Sequence, residues 1–300
     1  SLLGAPYMTA TFVLNNQLRF QGSAMYAMVG VISGAVLNIA LDPLFIFTFR
    51  LGVSGAAIAT IISQFISFCI LLYASSRRGN IRIRWRDFTP KWAFYREILR
   101  GGLPSFWRQG LASVATMCLN LAAGPFGDAA IAAMSIVSRV GMFAGSALIG
   151  FGQGFQPVCG FNFGAKRYDR VRRGYFCAIA MTAAWGLCTT FLLIGMVRPL
   201  FSIFLQEEEV MAIGVNYLRI VGLSQMFMMV EQTSIGAFSG LGRTLYPSIV
   251  SVTFTSARIP VAVLLSSVMG LSGIWWALSI SSMVKGCILF VSFVVFLYVF

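Results

Sequence analysis

Histidine is absent from the 300 residues, and only nine of them are acidic. The first absence excludes imidazole metal ligation and histidine proton relays. The six cysteines lie in or beside apolar stretches with no Cys-x-x-Cys spacing, which excludes a zinc ribbon or a dithiol redox motif. Buried free thiols are the expectation. No nucleophile–base pair, metal cluster or phosphate-cradling glycine loop appears, so the chain is not expected to be an enzyme. Charged residues make up only 10% of the chain while 58% is hydrophobic, and mean hydropathy is +0.83. No soluble domain needs that much apolar surface, so the fold class is an all-α polytopic membrane protein.

About nine spans of ~20 or more residues can be read. They run over 2–20, 24–49, 53–74, 101–124, 129–161, 175–204, 211–238, 245–269 and 273–300. The net charge of +13 does not imply nucleic acid, because the basic residues cluster between apolar runs. One cluster spans 77–100 with Arg77, Arg78, Arg82, Arg84, Arg86, Lys91, Arg96 and Arg100; the other holds Lys166, Arg167, Arg170, Arg172 and Arg173. Two spans separate them, so both fall on one side, which the positive-inside bias makes cytoplasmic. Glu207, Glu208 and Glu209 then fall on the other side. The stretch around Trp85, Trp92, Phe94 and Tyr95 is either an amphipathic helix on anionic lipid or a solvated linker.

Within the second span stand Asn38, Asp42 and Pro43. A carboxylate at such depth costs at least ~2.5 kcal/mol and must face protein or water. Asn38, four residues earlier, shares its helical face. Pro43 removes a backbone donor and so loosens a carbonyl at the same level. One carboxylate, one amide and one carbonyl form a seat for a small cation or a proton. Asp42 stands seven residues before Phe49 and Thr60 seven after Val53, so a hairpin brings both to one depth, ~10 Å below the outer end.

The chain also repeats itself. At an offset of 220, Gly22, Tyr26 and Ile39 match Gly242, Tyr246 and Ile259; at 218, Gly52, Ser54, Gly55 and Ala59 match Gly270, Ser272, Gly273 and Ala277. The matched helices are an even number of spans apart, which makes the repeat parallel, a plan common among secondary transporters. On that reading the first copy lacks a counterpart of about three spans.

These residues resemble the MATE family of multidrug and toxic-compound exporters. The resemblance is carried by 37–47 and 52–64, which hold the Asn38–Pro43 and Gly52–Ala59 motifs, by Gly102-Leu103-Pro104 and by 150–157. Asn162-Phe163-Gly164-Ala165 and Gly240-Leu241-Gly242-Arg243-Thr244 extend it over essentially the whole chain. It implies two six-helix lobes facing a central cavity, with 1–76 as the last three helices of the first lobe. Residues 77–100 would then be a basic cytoplasmic linker and 101–300 a complete second lobe. It also implies export of a small organic compound, cationic or amphiphilic, by antiport with Na⁺ or H⁺. The cation site would use Asp42, Asn38 and Thr60, without the family's aspartate on the first helix. No cofactor is expected beyond the coupling ion, and no metal beyond Na⁺ at Asp42.

The resemblance further implies a monomer in the bacterial plasma (inner) membrane, with lipid and a small molecule as partners and no nucleic acid. Glu231 and Arg258, deep in the second lobe, are either a structural ion pair or a polar cavity wall. Gln109, Asn120 and Arg139 are further cavity candidates, with helix-to-helix hydrogen bonding as the alternative for the two amides. Arg108 is expected to snorkel. Pro43, Pro104, Pro157 and Pro260 mark expected helix breaks. A lipid-linked saccharide flippase of the same superfamily, with Arg139 and Arg258 dominating its cavity, is the first alternative. A non-transporting membrane protein is the second.

Overall fold

A computed structural model describes residues 4–77, 89–196, 199 and 208–299. Every element among them is helical, as the long apolar runs require. The chain divides into two compact units, 1–90 and 91–300. The first unit holds α1 (Ala5–Phe20), α2 (Ala24–Pro43) and α3 (Gly52–Ser75). A π-helical turn, Leu44–Thr48, prolongs α2. The second unit holds α4 (Trp92–Ala123), α5 (Asp128–Gly164), α6 (Tyr168–Gly195), α7 (Glu208–Gly240), α8 (Leu245–Met269) and α9 (Leu271–Val299).

Seven of these helices are long and apolar enough to cross a membrane. The other two are α1, with 16 residues, and α4, whose apolar run is diluted by Arg108, Gln109 and Asn120. The expected linker also ends earlier than its charge suggests, because α4 begins at Trp92. Residues 92–100 contain no proline and only strong or neutral helix formers up to Arg100, so the helix starts before the apolar run does. Helical assignment passes through Pro104, Pro157 and Pro260 without interruption. Only at Pro43 does the helix change character. Arg78, Arg82, Arg84, Trp85, Arg86 and Glu207 lie outside the described residues, as do 200–204 of the sixth expected span.

In the first unit α2 and α3 meet through small residues. The Ser67 hydroxyl donates to the Gly30 carbonyl at 2.9 Å, and a Cβ on Gly34 would stand 2.8 Å from that of Ser67. Small residues one turn apart let helix backbones approach where lipid supplies no hydrophobic drive. Leu14, Leu18, Ala27, Leu71 and Ala74 fill the core beside this seam.

In the second unit α7 is the central helix, packed against α5, α6 and α9. The same device holds it: a Cβ on Gly236 would stand 2.8 Å from the Gly152 carbonyl oxygen, and one on Gly286 2.5 Å from that of Phe227. Hydroxyl ties cross the α6–α7 seam, Tyr175 with Ser234 at 2.7 Å and Thr233 to Thr182 at 3.1 Å. Trp275 stacks on Tyr217 at 4.8 Å within a core that includes Leu119, Met134, Leu218 and Ala262. The six cysteines are free, but only Cys159 is buried. The expectation of burial fails for the others because an outward side chain on a membrane helix already meets an apolar surrounding.

The repeat is visible in the backbone. Gly22 and Gly242 both take positive φ, +81° and +71°. Each closes its helix through the next residue, Ser23 N–H to Leu18 and Arg243 N–H to Phe238, both at 2.9 Å. This is the left-handed closure that favours glycine. Gly52 and Gly270 follow suit at +54° and +61°. Gly55 lies tight against the Phe45 carbonyl and Gly273 against that of Leu265, and those two partners are again 220 apart.

Candidate functional site

Two polar sites emerge, one in each unit. In the first, the Asn38 side-chain amide donates to the Asp42 carboxylate at 3.3 Å. Both side chains are half-buried in α2. The contact follows from helical spacing, since residues four apart stack on one face. Pro43 follows at once and offers no N–H to the Ile39 carbonyl. The π turn then takes over, with Phe49 N–H bonded to Leu44 at 3.0 Å and Leu51 N–H to Phe45 at 3.1 Å. Thr60, on the neighbouring α3, is half-buried and donates to the Ala56 carbonyl at 2.9 Å. Its oxygen keeps acceptor capacity, as does the carboxylate, and oxygens of both kinds suit a small hard cation; no hydrogen bond joins Thr60 to Asp42 or Asn38 among the described residues.

The second site is a cavity of about 410 Å³ inside the second unit, walled by α5, α7, α8 and α9. Val137, Met142, Tyr217, Met228 and Met229 supply apolar wall, and Ser224, Gln225, Gln232 and Thr255 supply neutral polar groups. Glu231, Arg258 and Lys285 give it charge. Lys285 Nζ binds Glu231 Oε1 at 3.0 Å, and both side chains are buried. Arg258 reaches the Ser282 hydroxyl with Nη2 at 3.4 Å, while its buried Nε has no hydrogen-bond partner among the described residues. Arg108, half-buried on α4, stands within Coulombic reach of both Glu231 and Lys285.

This arrangement departs from the sequence reading. Glu231 is ion-paired, but with Lys285 and not with Arg258. Lys285, a lone cation in the middle of the long apolar run 271–299, was the missed residue, and its position alone is the signal that could have found it. Gln109, Asn120 and Arg139 are exposed and do not line this cavity. Arg108, for which snorkelling is the expectation, is half-buried and does not line the cavity. Met228 and Met229 belong to the cavity wall.

Known proteins resemble this chain in sequence and in fold. Residues 104–264 match the MatE family model. "Multidrug export protein MepA" of Staphylococcus haemolyticus is 25% identical over 98% of this chain and 65% of its own length. Its counterpart in Staphylococcus aureus strain N315 is 26% identical over 93% and 62%. The chain thus spans about 65% of the length of the curated relatives it matches. A crystal structure of MATE in complex with MaL6 superposes with a TM-score of 0.90 at 26% identity, over 99% of this chain and 68% of that one. A MOP superfamily transporter from Pyrococcus furiosus, described as having a binding pocket of reversed polarity, gives 0.91 at 25%, over 98% and 67%. The family match over more than half of its residues, with seven helices long and apolar enough to cross a membrane, makes this chain an integral multi-pass membrane protein of the MatE family.

Proposed function

We propose that the protein takes part in secondary active export of amphiphilic organic compounds, driven by inward movement of Na⁺ or H⁺. Asp42 is the coupling carboxylate, with Asn38 and Thr60 as neutral oxygen partners. The observation that carries this reading is the Asn38–Asp42 contact beside Pro43 and the π turn. A half-buried carboxylate held by a single 3.3 Å amide bond keeps most of its acceptor sites for a transient ion. One charge moved across the membrane supplies ~2.3 kcal/mol per 100 mV, enough to bias each turnover. In this reading 1–76 forms part of one lobe and 101–300 a complete second one. The protein works as a monomer in the bacterial plasma membrane, with its basic loops cytoplasmic.

The test is efflux of a fluorescent amphiphile from proteoliposomes carrying the full chain, under an imposed Na⁺ or pH gradient, for wild type beside Asp42→Asn. Gradient-driven efflux in wild type and at least ~10-fold slower efflux in the variant is the expected result, a loss of ~1.4 kcal/mol or more. The gradient that works names the ion. Equal rates in the two proteins would remove Asp42 from the mechanism. The flippase reading weakens on one observation: Arg139 stands outside the cavity that Arg258 lines.

A further inference from the structure

The charges around the second-unit cavity are unequal. Arg258 and Lys285 line it against a single carboxylate, Glu231, and Lys285 already holds that carboxylate at 3.0 Å. Arg258 feels Glu231 only at a distance: no carboxylate hydrogen-bonds or ion-pairs with it among the described residues, which leaves it a weak contact to Ser282 and an orphaned Nε. Arg108 adds a third positive charge nearby. A guanidinium in so apolar a setting is costly until an anion meets it. Its planar fork matches a carboxylate or similar oxyanion in two parallel hydrogen bonds, a geometry ammonium groups do not offer.

Tyr217, Met142, Met228 and Met229 line the same cavity. Methionine is flexible and polarisable, suited to apolar bodies of varied shape. At about 410 Å³ the cavity falls in the range of drug-sized ligand sites.

We infer that this cavity is a substrate site for amphiphiles bearing a carboxylate or other oxyanion, with Arg258 as the group that binds the anionic end. A permanently cationic compound meets two cations there and a carboxylate already neutralised. The inference rests on the export reading, because it names the substrate class that such a transporter carries.

Binding separates the two. The purified full chain in neutral detergent is titrated with 11-(dansylamino)undecanoate, its methyl ester and the matching trimethylammonium compound. The carboxylate is expected to bind at least tenfold more tightly than the ester, and the ammonium compound most weakly. Arg258→Gln removes that preference. Lys285→Met provides a second route that leaves Arg258 in place: Glu231, released, then pairs with the guanidinium, and the preference falls in the same way. A carboxylate-to-ester ratio near one in wild type overturns the inference, as does a ratio unchanged in both variants. Displacement of the probe by phosphatidylglycerol but not by decanoate would assign the site to lipid headgroups and overturn it as a substrate site. Asp42→Asn, far along the sequence in the other unit, is expected to stop efflux while keeping the carboxylate preference. Absence of the preference in wild type, with gradient-driven efflux intact, sinks this inference alone, and gradient-independent efflux with the preference intact sinks the export reading alone.

Discussion

The hairpin of α2 and α3 and that of α8 and α9 share one backbone plan and differ in their chemistry. Equivalent glycines close the turn before each hairpin and open its second helix, and equivalent glycines admit the Phe45 and Leu265 carbonyls. Ala59 and Ala277 are both fully buried, as are Leu71 and Leu289. The polar positions diverge. Asn38 is answered by Arg258, Asp42 by the buried Ala262, Thr60 by Leu278 and Ser67 by Lys285. The first copy has a carboxylate with a neutral partner, and the second has cations whose one close carboxylate among the described residues comes from α7. Where glycine is fixed by backbone approach, the copies keep it; at the polar positions they part. On the proposed reading, a duplicated frame serves a small cation in one copy and an anion in the other.

The comparison breaks hardest at Glu231. Glu231→Gln leaves Lys285, Arg258 and Arg108 without a compensating carboxylate, and is expected to cost about 3–5 kcal/mol of stability. Lys285→Met costs less, because Arg258 and Arg108 remain to face Glu231. Unfolding of both variants in detergent checks the order; a costlier Lys285→Met would mean that Arg258 cannot reach the carboxylate. Next come Gly55→Val and Gly273→Val. Each forces a side chain against a backbone carbonyl, an overpacking worth about 1–3 kcal/mol or more, and the pair should agree within experimental spread if the copies share their frame. A large loss at one with none at the other would limit the repeat to turn geometry. The smallest effect sharpens the chemical contrast. Ala262→Asp restores to the second copy the carboxylate of the first, one turn from Arg258. It should be more stable than Ala262→Asn by about 1.5 kcal/mol, the worth of a charge-assisted bond. Equal stability would mean that Arg258 does not turn toward position 262.

How much was legible depended on range. The Asn38–Asp42 contact is local, since helical spacing alone dictates it, and the sequence analysis anticipates it. Turn glycines are equally local, and their repetition at 22 and 242 stands out in the sequence. The Glu231–Lys285 pair joins α7 to α9 across 54 residues. Which face of each helix meets the other depends on rotational setting, to which depth from a span end gives no access. Depth alone therefore allows Glu231 and Arg258 to be either an ion pair or a polar cavity wall; both line the cavity, and the ion pair falls to Lys285. The start of α4 at Trp92 was hidden for a different reason: arginines and a glutamate propagate a helix as well as apolar residues do, so loss of hydropathy was mistaken for loss of structure.

The π turn after Pro43 alters what α2 can present on its two halves. Each α-helical residue advances about 100° around the axis, and a π turn holds close to one residue more than an α turn. Side chains beyond it are therefore displaced around the axis from where a continuous α-helix would aim them. Phe45 and Phe49, whose rings lie 5.5 Å apart, take their direction independently of Asn38 and Asp42. One rod thus carries two rotational phases, and selection on its C-terminal aromatic end leaves the aim of its carboxylate untouched.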